Sequence, residues 1–196
     1  MNNFKIILAT TSPHRRKAFE MLDLDFAAEG SDIDENFEGR PTAPNELVKQ
    51  LSMLKAESVA KNHSEGIVVG FDSVGWFDNS ILEKPKTRKE AFNRLESLSG
   101  NNFEFYTGVH IINVSDGKVL SRVVKTAVDM RELTDAEINK YLDQDSQYNT
   151  YALGFDPLGH FSASFVEKIE GSYNNLLRGI PLEVIVAILK EMGIKI

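Results

Sequence analysis

The most constraining feature is a switch of pattern near the start of the chain. A short apolar run, Phe4 to Ala9, gives way to Thr10-Thr11-Ser12-Pro13 and then to residues with helical periodicity. Ser12 suits a helix cap and Pro13 the first helical position. Buried strand followed at once by capped helix is the opening of an α/β sheet protein. The pattern recurs. Phe26–Ala28 reads as a strand and Asn45–Lys61 as a helix, with Leu47, Leu51 and Leu54 on one face. Gly66–Gly70 reads as a further buried strand, and Val74–Phe77 pairs with Ile81–Leu82 across a turn.

The second half is richer in hairpins. Thr87 and Glu90 have capping-box spacing, as do Thr134 and Glu137. Between those helices, Phe103–Asn113 and Lys118–Met130 read as a hairpin around Ser115-Asp116-Gly117. Gln144–Gly159 reads as loop and Phe161–Ile169 as strand. A last helix opens at Pro181, with Leu182, Ile185, Val186 and Leu189 in a stripe. The expected fold class is α/β, with a mixed twisted central sheet, flanking helices and two lobes around a cleft, in one domain spanning 1–196.

Composition narrows the function classes. With 22 basic and 29 acidic residues, the net charge of −7 disfavours a nucleic-acid coat. No cysteine is present, which removes disulfides, thiolate metal sites and a thiol nucleophile. The first apolar run is too short for a signal peptide or a membrane span, and residue 2 is Asn rather than an acylated Gly. The expectation is a cytoplasmic protein with no membrane partner.

Four polar groups stand at the edges of apolar elements. The first is Thr10 to Arg16, where a helix N-terminus attracts anions although its dipole disfavours the cations Arg15 and Arg16. A bound anion would resolve that conflict; a capped helix with solvated arginines is the plainer alternative. The second is Asp32, Asp34, Glu35 and Glu38 in the long polar stretch Glu29–Pro44, able to hold Mg²⁺ or Mn²⁺ but on composition alone a solvated loop. The third is Asp72, read as lying just past a strand end, where it serves equally as a cap, a metal ligand or a general base. The fourth is Lys84 and Lys86 with Lys55, suited to phosphate or simply solvated. Together these suggest metal-assisted chemistry on a phosphorylated small molecule. The histidines show no metal-ligand spacing, and His110 reads as structural.

The ordered set Leu8–Arg16, Asp32–Glu35, Leu54–Ala56, Gly70–Val74, Glu83–Pro85, Leu98–Gly100, Tyr106–Gly108, Gly171–Tyr173 and Gly179–Leu182 resembles the Maf-like nucleoside-triphosphate pyrophosphatases. The resemblance covers nearly the whole chain. It implies hydrolysis of a nucleoside triphosphate to the monophosphate and pyrophosphate, with a divalent metal cation (Mg²⁺ or Mn²⁺), in a homodimer that cleans the nucleotide pool. By the same resemblance Asp72 is the proton acceptor and, with Glu35, a metal ligand. Thr10, Ser12, Arg15, Lys55 and Lys84 bind the triphosphate, and His14, Ser73 and Gly159 bear on specificity. Thr10 replaces the usual Ser, and Ser12-Pro13-His14-Arg15-Arg16 looks like the branch acting on 7-methyl-GTP. The segment Ala152–Gly159 aligns poorly with the family's loop, whose base-selecting Gln or Glu would fall near Gly159. A dTTP/UTP pyrophosphatase, or a nucleotide-binding cell-division regulator with little turnover, stand as alternatives.

Overall fold

The computed structural model describes residues 4–194 and 196. Residue 2, which enters the acylation argument, lies outside them. Strand β1 (Ile6–Ala9) is buried along its whole length. Helix α1 (Pro13–Glu20) follows it, with the Ser12 hydroxyl accepting the Arg15 N–H at 3.4 Å. Strand β2 (Phe26–Glu29) and helix α2 (Pro44–Ala60) come next. Then come β3 (Ile67–Phe77), β4 (Ser80–Leu82) and α3 (Arg88–Leu98). The hairpin β5 (Asn102–Asn113) and β6 (Val119–Met130) leads into α4 (Asp135–Gln144). Strand β7 (Val166–Glu170) and helices α5 (Tyr173–Arg178) and α6 (Leu182–Glu191) complete the chain.

The strands form one mixed seven-stranded sheet in the order β2-β1-β3-β5-β6-β7, with β4 on β3. Strand β1 pairs in parallel with β2 and β3, while β3–β5, β5–β6 and β6–β7 are antiparallel. Two main apolar cores flank the sheet. One joins Ile67, Val69 and Phe71 of β3 to Phe19 of α1 and to Ile185 and Leu189 of α6. The other joins Phe103 and Phe105 of β5 to Leu95 of α3 and Tyr141 of α4. The long strands β3 and β5 run through both regions, so the expected two lobes share a continuous sheet.

Three readings change. Strand β3 does not end near Gly70 but continues for 11 residues, so Asp72 lies inside a strand. Phe161–Ser164 is a 3-10 turn, not strand; the Ser162 hydroxyl lies 2.6 Å from the carbonyl oxygens of both Asp156 and Gly159 and shares its one proton locally between them. Helix α5 was not expected; Ser172 caps it by accepting the Asn175 N–H at 3.0 Å. The capping box at Thr134 and Glu137 is complete. At Thr87 only the hydroxyl half forms, since the Glu90 carboxylate accepts the Lys86 N–H instead.

The close packing of α2 on the sheet depends on two glycines. A Cβ at Gly70 would stand 2.3 Å from the Ser52 carbonyl oxygen, and one at Gly108 would stand 2.1 Å from that of Val48. Gly70 is on β3 and Gly108 is the register partner of Asp72 on β5. The helix backbone therefore lies directly on the sheet beside Asp72. Gly108→Ala must push α2 outward, because the obstructing atom is backbone and cannot rotate away. The expected cost is about 1–3 kcal/mol, as for other overpacked sites, read from urea denaturation.

Glu137 gives a second prediction. Hydrogen bonds from Arg131 and from Thr134 lower its carboxyl from the ordinary 4.5 to about 2. A depressed folded-state value stabilises the fold above the unfolded value and loses that contribution as pH falls. Glu137→Gln is expected to narrow its stability difference from the native chain between about pH 4.5 and pH 2. Urea midpoints measured across that window read the effect.

Candidate active site

Strand β1 accompanies β3 only from Ile67 to Gly70, and β4 joins it only from Gly75. Phe71 to Val74 thus have no partner strand on that edge, although β5 pairs with them on the other. A cleft of about 880 Å³ opens at this gap, lined in part by Arg15, Glu35, Lys55, Asp72, Ser73 and Lys84. The gap lies beyond the carboxyl end of β1, where open α/β sheets gather their ligands.

Helix α1 enters the gap. The Arg15 Nε donates to the Gly179 carbonyl at 3.0 Å, and Nη2 donates to the Ser73 hydroxyl at 2.7 Å. Arg15 Nη1 donates to the Phe71 carbonyl at 3.4 Å, an acceptor that the missing strand leaves open. Burial lowers the Arg15 guanidinium from its ordinary value, while Asp72 and Glu35 oppose that shift. Ser73 also shares a 2.7 Å hydrogen bond with the Thr107 hydroxyl, so it braces Arg15 against β5.

On the neighbouring face, Lys55 of α2 stands between two carboxylates. Its ammonium lies 2.6 Å from Asp72 Oδ1 and 2.8 Å from Glu35 Oε1. Asp72 is only 6% exposed. Burial raises its carboxyl above the ordinary aspartate value, against the pull of Lys55 and Arg15. Glu35 also feels burial, but the hydrogen bond and charge of Lys55, helped by Lys84 and Arg15, leave it below the ordinary glutamate value. The two shifts run in opposite directions because Asp72 is the more deeply enclosed.

The other expected residues divide. Thr10 and Ser12 line a side pocket of about 370 Å³ with Glu35, Lys55 and Lys84. Both hydroxyls already have local work: Thr10 Oγ1 accepts the Ser12 N–H at 3.1 Å, and Ser12 caps α1. His14 lines the cleft, its ring 5.3 Å from that of Tyr151. Gly159 does not line the cleft; it packs against Asp156, and its position has no side chain to offer a ligand. Of the acidic loop, Glu35 reaches the cleft, while Asp32, Asp34 and Glu38 remain exposed, with Asp34 accepting the Asn36 N–H.

Two residues escaped the reading of the sequence. Arg178 at the end of α5 lines the cleft and pairs with Asp156 at 3.0 Å. Tyr151 lines it from the loop after α4, and burial pushes its phenol up to about 12, so it stays a hydrogen-bond donor. Neither element carries a motif; Ser172 before α5 and Gly179 after it are the helix signals the sequence holds.

Among the described residues, no group of three or more His, Asp or Glu side chains is gathered to hold a metal ion. Glu35 and Asp72 supply two carboxylates on one ammonium, too few for an all-protein cage. That donor set fits Mg²⁺, which is commonly held by one or two carboxylates together with substrate phosphates. No helix among the described residues is long and apolar enough to cross a membrane.

Known proteins are similar to this chain in fold or in sequence. The structure of the Staphylococcus aureus Ham1 protein superposes with a TM-score of 0.57 at 15% identity, covering 96% of this chain and 99% of that one, a likeness of fold. A dTTP/UTP pyrophosphatase of Thermoanaerobacter sp. (strain X514) is 38% identical over 188 residues, 95% of this chain and 96% of the relative. A dTTP/UTP pyrophosphatase of Bacillus cereus (strain G9842) is 34% identical over 198 residues, 98% of this chain and 97% of the relative. The family model for Maf-like protein matches residues 5–192, and with relatives similar over nearly their full length the chain belongs to the Maf-like family.

Proposed function

We propose that this protein is a nucleoside triphosphate pyrophosphatase, acting as one domain over residues 1–196, and that a pyrimidine triphosphate of the dTTP or UTP kind is its substrate. The observation that carries the reading is the meeting of Arg15, Lys55 and Lys84 with Asp72 and Glu35 on one cleft at the gap in the sheet. The relatives' names support the pyrimidine class. The Ser12–Arg16 segment's likeness to the 7-methyl-GTP branch finds no support in those names, so that expectation gives way to its alternative.

The chemistry follows from placement. Arg15 and Lys84 bind the triphosphate, with the Thr10–Ser12 turn offering helix-end amides. Asp72, made more basic by burial, accepts a proton from the attacking water, whose oxygen adds at the α-phosphorus as pyrophosphate departs. Lys55 holds Asp72 and Glu35 in place and supplies positive charge beside the phosphates. A divalent ion, held by Glu35 and Asp72, would neutralise the growing charge on the leaving group.

The deciding measurement is release of pyrophosphate from a panel of triphosphates with Mg²⁺ and with Mn²⁺. UTP and dTTP are expected to turn over, and Asp72→Asn to lower kcat by about 10²-fold or more, as for loss of a general base. Turnover no greater than that of Asp72→Asn for every triphosphate would leave the regulator reading in its place. Orthophosphate as the product would move the cleavage to the γ-phosphorus.

A pH dependence also follows. Asp72 must be ionised to accept a proton, and burial raises its carboxyl above the ordinary 3.8. Activity is therefore lost as pH falls through a value above the ordinary aspartate range. The acid limb of log kcat/KM against pH reads this value directly, and a limb at or below 3.8 would contradict it.

A further inference from the structure

The cleft is chemically different at its two sides. The side pocket near α1 is walled by Thr10, Ser12, Glu35, Lys55 and Lys84, groups suited to phosphate. Elsewhere the wall is formed by Phe105, Tyr151, Leu153, Pro157 and Leu176, an apolar and aromatic surface suited to a flat ring. Arg178, joined to Asp156 beside Pro157, lines the cleft and does not line the side pocket.

Arg178 is rigidly mounted. Its Nη1 donates to Asp156 Oδ1 at 3.0 Å and to the Leu177 carbonyl at 3.3 Å. Asp156 is buried, and the same Oδ1 accepts the Leu158 N–H at 3.0 Å. Its backbone is anchored as well: the N–H donates to the Tyr141 hydroxyl at 3.2 Å, and the carbonyl accepts from Ser162 at 2.6 Å. Nε and Nη2 of Arg178 make no hydrogen bond among the described residues, leaving a fork of donors for a ligand. The residue before Gly179, whose carbonyl orients Arg15, is thus Arg178 itself, so one turn of chain links the two arginines.

We infer that Arg178, oriented by Asp156, reads the nucleobase and selects bases that present carbonyl oxygens over those that present an amino group at the same edge. The inference rests on the pyrophosphatase reading and names how its substrate is chosen. A guanidinium donates hydrogen bonds and accepts none. Uracil and thymine carry a carbonyl oxygen where cytosine carries an amino group. Placing donor against donor leaves polar groups desolvated and unpaired, which a site of this kind rejects. Gly159 offers no side chain, and the 152–159 segment contributes Asp156, a positioning residue that acts through Arg178.

The test compares kcat/KM for UTP and CTP by pyrophosphate release. The native protein is expected to favour UTP by about 10-fold or more, the order of discrimination given by a good side-chain–base pairing. Arg178→Gln is expected to collapse that ratio by about the same factor, chiefly through KM. Arg178→Lys keeps a cation beside buried Asp156, which protects folding, yet loses the planar fork and collapses the ratio as well. Asp156→Asn keeps an acceptor for the Leu158 N–H and lowers the ratio by loosening Arg178. Equal losses on UTP and CTP would make Arg178 a phosphate ligand and overturn the inference. A ratio unmoved in all three variants, or a native preference for CTP, would overturn it too. If no triphosphate releases pyrophosphate, the pyrophosphatase reading fails by itself. Calorimetric binding of UMP and CMP to native protein and Arg178→Gln then decides the base reading: tighter UMP binding lost in the variant upholds it, and equal affinities overturn it.

Discussion

Two missing side chains decide where the charged groups of this protein meet. Helix α2 can lie on the sheet because Gly70 and Gly108 present only hydrogens to the carbonyls of Ser52 and Val48. That contact sets the height of the next turn, which carries Lys55. From there the ammonium reaches Asp72 on β3 at 2.6 Å and Glu35 of the long loop at 2.8 Å. A larger residue at either glycine would lift the helix, and a carboxylate as enclosed as Asp72 tolerates poorly the loss of its counter-ion. Packing and electrostatics are here the same constraint, seen first as a close approach and then as an ion pair.

The second constraint is an interruption in strand pairing. Backbone groups inside a sheet are normally satisfied by a neighbour, and an open edge invites whatever can pair with it. Between the end of β1 and the start of β4, the edge of β3 is free, and Arg15 donates to the Phe71 carbonyl there. The arginine is held at three points by Phe71, Ser73 and Gly179, the last from the turn after α5. Distant segments therefore converge on the gap because it is where hydrogen-bonding capacity is left over.

Much of this was legible in the sequence, and the limits have physical causes. β1, α2, α6 and the β5–β6 hairpin announce themselves through apolar period and turn residues, because each buries a face along its own length. In the sequence, the short apolar run Ile67–Val69 closing at Gly70 places Asp72 past a strand end, and a glycine and an acid are both unusual in a strand interior. They are tolerated there for tertiary reasons, a helix packed on Gly70 and an ammonium facing Asp72, which no local window contains. Helix α5 is six residues long and owes its existence to packing and to the Ser172 cap rather than to periodicity. Arg178 was invisible for the same reason, since its meaning comes from Asp156, which lies 22 residues earlier and becomes its neighbour in the fold.

The charge balance of the cleft carries the argument one step further. The chain as a whole is acidic, at −7, yet Arg15, Lys55 and Lys84 converge on a single site. Lys55 is already shared by Glu35 and Asp72, and Arg178 is matched by Asp156, so two of these four cations are internally balanced. Of the four, Arg15 and Lys84 make no ion pair among the described residues and are left to face a triphosphate. Such a ligand brings more negative charge than two side chains offset, and at low local dielectric the excess is costly. The same pairing therefore leaves the cleft electrostatically incomplete for such a ligand. A divalent cation arriving with the phosphates would supply the missing charge and give Glu35 and Asp72 a second positive partner. On this view the scarcity of protein ligands for a metal follows from a site built to be completed by the nucleotide.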